Sequence, residues 1–324
     1  MPYLVTGAAG FIGFHTCKSL LDRGDRVVGV DVVNDYYDPS LKEARLRLLS
    51  EYPNFTFYRS DIADRVEVEK MAAHHPDITR IVHLAAQPGV RYSLQNPYAY
   101  THSNITGQIV MLEMARNLKL CEHFVYASSS SVYGSNTKLP FSVEDRVDHP
   151  ISLYAATKKS CELMAHCYSH LFQIPTTGLR FFTVYGPWGR PDMSAFLFVK
   201  AILDGKPIKV FNNGDMRRDF TYVADIVKGI IAVVDRHPSG SGVPYQIYNI
   251  GNHRSESLMR FIGVIEESLG MKANIIFEPI QPGDVKETFA DIDLLRKDFG
   301  FEPSTSIEEG VPKFVHWYRE FYGK

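Results

Sequence analysis

The sequence predicts an α/β fold, a doubly wound parallel sheet with a smaller C-terminal α/β region, and three observations carry that expectation. Short runs rich in Val, Ile, Leu and aromatics alternate with helical stretches from the first residues onward. The strand-like runs are mostly unbroken apolar rather than alternating, as strands covered on both faces are. A glycine-rich turn joins the first of them to the first helical stretch. The chain's 324 residues, 45% of them hydrophobic and 22% charged, suffice for one large core or two ordinary ones. A formal charge of −2 supplies no global positive field, so nucleic acid and anionic membrane are not expected partners.

In order, strands are expected at residues 3–6, 26–31, 55–58, 80–84, 123–127 and 176–181, built on pairs such as Leu4-Val5, Val27-Val28, Ile81-Val82 and Phe124-Val125. Helices are expected between them at 11–22, 64–74, 104–118 and 152–171, where apolar positions recur at helical spacing. After residue 181 the rhythm changes: Gly186-Pro187-Trp188-Gly189-Arg190-Pro191 opens a region of longer loops, short strands at 208–211 and 246–250, and helices at 195–203, 223–235, 258–269, 292–298 and 307–321. The division expected is residues 1–181 and 182–324, with the chain able to cross between lobes. No Ser/Gly-rich linker separates them, so a cleft between tightly joined lobes is expected.

Thr6-Gly7-Ala8-Ala9-Gly10-Phe11-Ile12-Gly13 connects the first strand to the first helix. Gly7, Gly10 and Gly13 allow a tight turn and a close approach to a pyrophosphate, and the N–H groups of Phe11, Ile12 and Gly13 at the helix start would face it. Asp31 ends the second strand, where a carboxylate accepts both ribose hydroxyls of an adenosine and repels a 2′-phosphate. Val32-Val33 follow with no arginine in the next several residues, so the cofactor expected from this Rossmann pattern is NAD rather than NADP.

Tyr154 and Lys158 lie four residues apart on one helix face. An ammonium near the phenol favours its phenolate and makes it a general base. Ser128-Ser129-Ser130-Ser131-Val132-Tyr133-Gly134 follows the fifth strand at its C-terminal end, where ligands bind in such sheets. No apolar run approaches the 18 or so residues of a membrane span. The start at Met1-Pro2-Tyr3-Leu4 lacks a basic n-region and a cleavage site, so no signal peptide is expected. Cys17, Cys121, Cys161 and Cys167 read as reduced core thiols of a cytoplasmic protein, and neither they nor the twelve histidines show metal-ligand spacing.

With these motifs in place, the chain resembles the extended short-chain dehydrogenase/reductase family, specifically its nucleotide-sugar epimerases. The resemblance spans nearly the whole chain, through the glycine turn, His83-Leu84-Ala85-Ala86, the serine run, Tyr154 and Lys158, Arg180-Phe181-Phe182-Thr183-Val184-Tyr185-Gly186 and Arg217-Arg218-Asp219-Phe220-Thr221-Tyr222-Val223. Two stretches, Ala86-Gln87-Pro88-Gly89-Val90-Arg91-Tyr92-Ser93 and Gly186-Pro187-Trp188-Gly189-Arg190-Pro191-Asp192-Met193, are most similar to UDP-glucuronate 4-epimerases.

The resemblance implies a reaction and a set of roles. Tyr154 takes the O4 proton while C4 is oxidised by NAD; the 4-keto sugar turns and is reduced on its other face. Asp61 and Ile62 would flank the adenine, Leu84, Ala85 and Ala86 would line the cofactor ribose, and Ser129 would share a hydrogen bond with the sugar O4. Ser130 and Ser131 are candidates for the sugar carboxylate, and Thr183 stands where galactose epimerases have asparagine. Phe211 would stack on uracil or lie in the core, Arg218 would hold the diphosphate or pair with Asp219 or Asp215, and Asp284 would contact the uridine ribose. Arg91 and Arg190 are both candidates for the diphosphate or the carboxylate. Gln281 replaces an arginine of the galactose enzymes. Decarboxylases of the family place a glutamate and an arginine where Ser131 and Thr288 stand, and 4,6-dehydratases place an Asp-Glu pair at Ser130 and Ser131, so the resemblance leaves epimerisation without elimination or decarboxylation, with UDP-glucuronate converted to UDP-galacturonate as the expected reaction. The alternatives are a 4-epimerase of UDP-glucose or of a UDP-N-acetylhexosamine, and, in another class, a non-catalytic dinucleotide sensor, which the Tyr154/Lys158 pair disfavours. Relatives of this kind imply a homodimer through helices of the first region.

Overall fold

The computed structural model describes residues 1–238, 242–281 and 285–324. Strand β1 (Pro2–Thr6) leads into α1 (Phe11–Asp22), and the alternation continues through β2 (Arg26–Asp31), α2 (Pro39–Ser50), β3 (Phe55–Arg59), α3 (Arg65–His74) and β4 (Arg80–His83). Two single-turn helices, α4 (Tyr92–Gln95) and α5 (Pro97–Tyr100), run through a π-helical turn at Thr101–Thr106 into α6 (Gly107–Asn117). Then come β5 (His123–Ser129), α7 (Leu153–Phe172) and β6 (Thr176–Phe181). The remainder holds β7 (Thr183–Tyr185), α8 (Ser194–Leu203), β8 (Ile208–Phe211), β9 (Arg217–Arg218), β10 (Phe220–Tyr222), α9 (Val223–Val234), β11 (Tyr245–Ile250), β12 (Glu256–Ser257), α10 (Leu258–Leu269), β13 (Ile275–Glu278), β14 (Glu287–Thr288), α11 (Asp293–Phe299) and α12 (Ile307–Tyr322).

Seven strands form one sheet in the order β11-β6-β5-β4-β1-β2-β3, and every pairing from β3 to β6 is parallel. This is the doubly wound sheet expected from the sequence. Its apolar strands are covered on both faces: Leu4, Val5, Val27, Val30, Val82 and Val125 are fully buried. One core cluster joins Leu4, Val28, Ile81 and Phe124 to Met111 and Leu112 of α6 and Ala165 of α7. The strand order reverses between β1 and β4, and the C-terminal ends of strands at such a reversal form the crevice where these sheets bind ligands.

Helix α2 was not legible as a helix, for a physical reason. Its buried face carries Lys42 and Arg45 among Leu41, Ala44, Leu46 and Leu49, so the apolar periodicity is broken by two cations. What starts it is local: Asp38 caps it by accepting from Ser40 N at 2.9 Å, and Pro39 fits the first turn. The expected regular helix from 104 begins instead inside the π-turn and is α-helical only from Gly107. The four cysteines also depart from expectation: Cys17 and Cys161 are buried, Cys121 is half-buried and Cys167 is exposed. A helix face that turns away from the core exposes whatever thiol it carries.

By contact density the chain divides into two units. One comprises Met1–Asn136, Val143–Phe181 and Val227–Tyr248; the other comprises Thr137–Ser142, Phe182–Ile226 and Asn249–Lys324. In the second unit, β7 and β10 pair in parallel, Phe220 stacks on Phe261 with centroids 4.0 Å apart, and the buried Asp219 gathers the chain. Its carboxylate accepts from Thr221 Oγ1 and Asn252 N, each at 2.7 Å, and from Ala290 N at 3.1 Å. Burial pushes the carboxyl up to about 6 against these donors. Among the described residues no helix is long and apolar enough to cross a membrane, and no cluster of His, Cys, Asp or Glu is placed to hold a metal.

Candidate active site

The turn after β1 is suspended from the end of β2, since Gly7 N and Ala8 N both donate to Val30 O at 2.7 and 3.1 Å. Gly7 stands at φ +72°, and a side chain there would meet Ala85 N at 2.9 Å; one at Gly13 would lie 2.0 Å from Gly7 O. Gly10 is the N-cap of α1 and no side chain caps it, so the first-turn N–H groups of Phe11, Ile12 and Gly13 are left for an anionic ligand.

Asp31 closes β2, with Oδ2 accepting from Ala9 N at 3.1 Å and Oδ1 from Val33 N at 2.8 Å. Burial pushes its carboxyl above the usual range, while the two N–H groups and the Lys42 and Arg45 cations draw it back. No arginine follows Asp31 within several residues, as read from the sequence, and the two cations near it arrive from α2 instead. Both are directed at protein acceptors. Lys42 Nζ donates to Asn34 O at 2.9 Å and Asn34 Oδ1 at 2.6 Å; Arg45 Nη1 donates to Ala9 O at 2.7 Å and Tyr37 OH at 2.8 Å. Arg45 thereby fixes the glycine turn itself.

At the reversal point Thr6 Oγ1 lies 2.7 Å from His83 Nδ1 and accepts from Ala85 N at 3.1 Å, which laces the half-buried Leu84, Ala85 and Ala86 to the end of β1. Ile62 belongs to the core cluster, and the Asp61 carboxylate accepts from Ala63 N at 2.8 Å and pairs with His102 at 2.8 Å. A turn of glycines that leaves no room for side chains, an uncapped helix start and a buried acid at the end of β2 fit a dinucleotide.

The serine run ends β5. Ser129 caps a 3-10 turn at Ser130–Tyr133, and its Oγ accepts from Ser131 N at 3.2 Å and from Ser131 Oγ at 2.9 Å. Helix α7 packs on that turn and starts cleanly because Ser152 Oγ accepts from Ala155 N at 3.1 Å. Lys158 is buried and its Nζ donates to Ala127 O at 2.8 Å, two residues before Ser129. Tyr154 is half-buried, its ring edge-on to Tyr100 at 6.0 Å. Tyr100 donates to Pro88 O at 2.7 Å and continues through Tyr92 to Tyr36, so a line of four tyrosines runs from Tyr154 to the loop after β2.

Two supporting networks were missed by sequence reasoning. Asn104, buried in the π-turn, accepts from Gln87 N at 2.8 Å and donates to Thr157 Oγ1 at 3.0 Å, and Thr157 donates to Tyr154 O at 2.8 Å. The π-turn turns this amide inward; the only sequence signal was a polar residue at the head of a largely apolar helix face that also buries Gln108. Glu162, one turn beyond Lys158, accepts from Ser128 Oγ at 2.7 Å and from Arg180 Nε and Nη2 at 2.8 and 2.9 Å, while Arg180 Nη1 donates to Tyr133 OH at 3.1 Å. Burial alone would raise the Glu162 carboxyl, but Arg180 holds it below the usual range. One buried ion pair therefore holds both ends of the serine turn, at Ser128 and at Tyr133.

Arg91 is exposed at the head of α4. In the second unit Thr183 is half-buried in β7, and Phe211, also half-buried, ends β8. Arg190 forms a forked pair with Asp192, Nε to Oδ1 at 3.0 Å and Nη2 to Oδ2 at 2.5 Å. Arg218 Nη1 donates to Arg217 O at 2.8 Å and Lys286 O at 3.0 Å, while Asp215 pairs with Lys286 at 2.6 Å. Asp284 lies outside the described residues.

A Rossmann sheet with this glycine turn, and a Tyr/Lys pair on the helix that packs against the serine turn, defines a dinucleotide-dependent enzyme of the extended short-chain dehydrogenase/reductase class. More narrowly, the chain belongs to the NAD dependent epimerase/dehydratase family, whose model matches residues 3–251. Protein CapI of Staphylococcus aureus is 51% identical, over 100% of this chain and 100% of its own. A Rhizobium meliloti protein named "Probable UDP-glucuronate 4-epimerase" is 47% identical, over 99% of this chain and 98% of its own. Among solved structures, the UDP-glucuronic acid 4-epimerase of Bacillus cereus in complex with UDP-glucuronic acid and NAD is similar at TM-score 0.92 and 35% identity, covering 99% of this chain and 100% of that one.

Proposed function

We propose that the chain is a UDP-glucuronate 4-epimerase, converting UDP-glucuronate to UDP-galacturonate and back with a resident NAD. The observation that carries the reading is the serine turn itself: Ser129 is presented at the end of β5 against the helix of Tyr154 and Lys158, and Ser130 and Ser131 place no acid there. Elimination across C5 and C6 needs an acid and a base at those positions, and the turn has neither. Relatives of this name align with the chain from end to end.

Gly7, Gly10, Phe11, Ile12 and Gly13 would hold the pyrophosphate, Asp31 the adenosine ribose, Asp61 and Ile62 the adenine, and Leu84, Ala85 and Ala86 the second ribose, with Tyr154 and Lys158 reaching the nicotinamide end. Bound NAD supplies a two-electron acceptor for the hydrogen at C4 that can return it. Tyr154 takes the O4 proton and later gives it back. Lys158, anchored to Ala127 O, keeps a positive charge near that phenol. Ser129 hydrogen-bonds O4. Between the two halves the sugar ring turns about its diphosphate, so the same hydrogen returns to the opposite face. Phe211, Arg218 and Asp284 would hold the UDP half, and Thr183, Ser130, Arg91 and Arg190 the uronate half. Residues 1–181 would carry the NAD site together with Ser129, Ser130 and Arg91 at its sugar end, and residues 182–324 the rest of the nucleotide-sugar site. We place the protein in the cytoplasm as a homodimer through α6 and α7, where Ile109, Leu163, Leu171 and Phe172 are exposed apolar residues.

Initial rates on UDP-glucuronate, UDP-glucose and UDP-N-acetylglucosamine, with separation of products, test the reading. The expected order puts UDP-glucuronate first by kcat/KM, with no UDP-pentose. A higher kcat/KM on either neutral sugar, or UDP-pentose as main product, would replace it.

A further inference from the structure

We infer that Ser131 is a positioning residue that fixes the direction of the Ser129 proton, so that Ser129 meets the sugar O4 as a donor only. The inference rests on the functional reading above for the identity of O4 and adds a role to a residue that reading leaves without one. A serine hydroxyl has one proton and two lone pairs. Both lone pairs of Ser129 are engaged by the same neighbour, one by Ser131 N at 3.2 Å and one by Ser131 Oγ at 2.9 Å. The Ser129 proton therefore points away from Ser131, along the remaining tetrahedral direction. Because Ser131 uses its only proton on Ser129, it has none for a substrate carboxylate in this arrangement.

The geometry is held from outside the turn as well. Ser128 is tied to Glu162 at 2.7 Å on one side and Tyr133 to Arg180 at 3.1 Å on the other, so the turn cannot rotate as a body to release Ser131. The consequence is chemical. Charge grows on O4 as its proton leaves for Tyr154, and a preoriented donor stabilises that charge without reorganising at the moment of reaction. An undirected hydroxyl would spread over three staggered positions, one of which accepts from O4 and opposes the transfer. On reduction the same donor polarises the C4 carbonyl.

The test is a double-mutant cycle of Ser129→Ala and Ser131→Ala, with Ser131→Thr as the variant that keeps the hydroxyl. It is run on UDP-glucuronate and UDP-glucose in parallel, with Kd by calorimetry and a melting curve for each protein. Ser131→Ala keeps the backbone N–H cap, so its fold is expected to survive. Its kcat should fall about 5- to 20-fold, between the threefold of freeing one rotor and the hundredfold or more of losing an oxyanion donor outright. Kd should stay within about twofold, Ser131→Thr should recover most of kcat, and the double variant should be no slower than Ser129→Ala, as expected of residues acting as one unit. A weakened Kd for UDP-glucuronate with kcat preserved would make Ser131 a direct substrate contact and overturn the inference, as would additive losses in the cycle or an unchanged kcat. If only UDP-glucose turns over, the substrate reading falls while the same kcat pattern still judges Ser131.

Discussion

Substituting Gly13→Ala probes the cofactor turn at its tightest point. The added Cβ would sit 2.0 Å from Gly7 O and 2.7 Å from Gly7 C, where ordinary contact begins at 3.4 Å. Helix and turn must therefore part by about 1.4 Å, and the turn has little freedom to yield, because Gly7 N is bound to Val30 O at 2.7 Å and Gly10 N to Gly7 O at 2.8 Å. Overpacking costs about 1–3 kcal/mol and a lost backbone hydrogen bond about 0.5–1.5 kcal/mol. The sum, roughly 1.5–4.5 kcal/mol, corresponds to a melting temperature lower by about 3–18 °C for a unit of this size. The displaced helix start should also release NAD. Gly263→Ala on α10 is the control: nothing lies within 4 Å of its Cβ, and gaining alanine in a helix should be neutral or stabilise by up to about 1 kcal/mol. Scanning fluorimetry and chromatography of nucleotide released on denaturation read both effects. A Gly13→Ala protein with wild-type melting and wild-type NAD content would refute the packing argument.

Tyr154→Phe should lower turnover by about 10² to 10⁴ while NAD remains bound, as the role proposed for the phenol as general base requires; steady-state rates above about a tenth of wild type would remove it from that role. Glu162→Gln leaves Arg180 charged, buried and unpaired, at a cost of about 3–5 kcal/mol, to be read by urea denaturation; an unchanged midpoint would show that the pair does not hold the turn. His83 and His123 are buried and held neutral, each pushed down to about 3, by burial and, for His83, by Lys158 as well. The unfolded chain binds more protons between about pH 3 and 6.5, so stability present above pH 6.5 is lost as pH falls, at about 1.4 kcal/mol per histidine per pH unit. His123→Gln should flatten that slope between pH 6.5 and 5, and an unaltered slope would contradict the assignment.

The sheet was legible because its strands are short β-rich runs, with buried apolar residues in β1, β2, β4 and β5, and β2 and β6 coincide with expectation at both ends. The local geometry of the candidate site was legible where the backbone restricts the residue type, as at Gly7 and Gly13, or where a pair lies on one helix turn, as at Tyr154 and Lys158. What stayed hidden depends on partners distant in sequence. Arg45 reads as a surface cation until the fold carries it to Ala9 O, and Glu162 reads as solvated until Arg180 arrives from β6. Asn104 needed the π-turn, which no local propensity announces. The alternative roles of Ser131, carboxylate ligand or director of a neighbouring proton, differ in where one hydrogen points, which sequence spacing does not encode.

The most direct test of C4 inversion is to incubate the purified protein with UDP-glucuronate carrying deuterium at C4 and follow the sugar by NMR, with no cofactor added. The expected result is a mixture of UDP-glucuronate and UDP-galacturonate in which both sugars keep the label at C4, because the hydrogen leaves and returns within one site. Absence of UDP-galacturonate, or UDP-galacturonate carrying solvent hydrogen at C4, would contradict it.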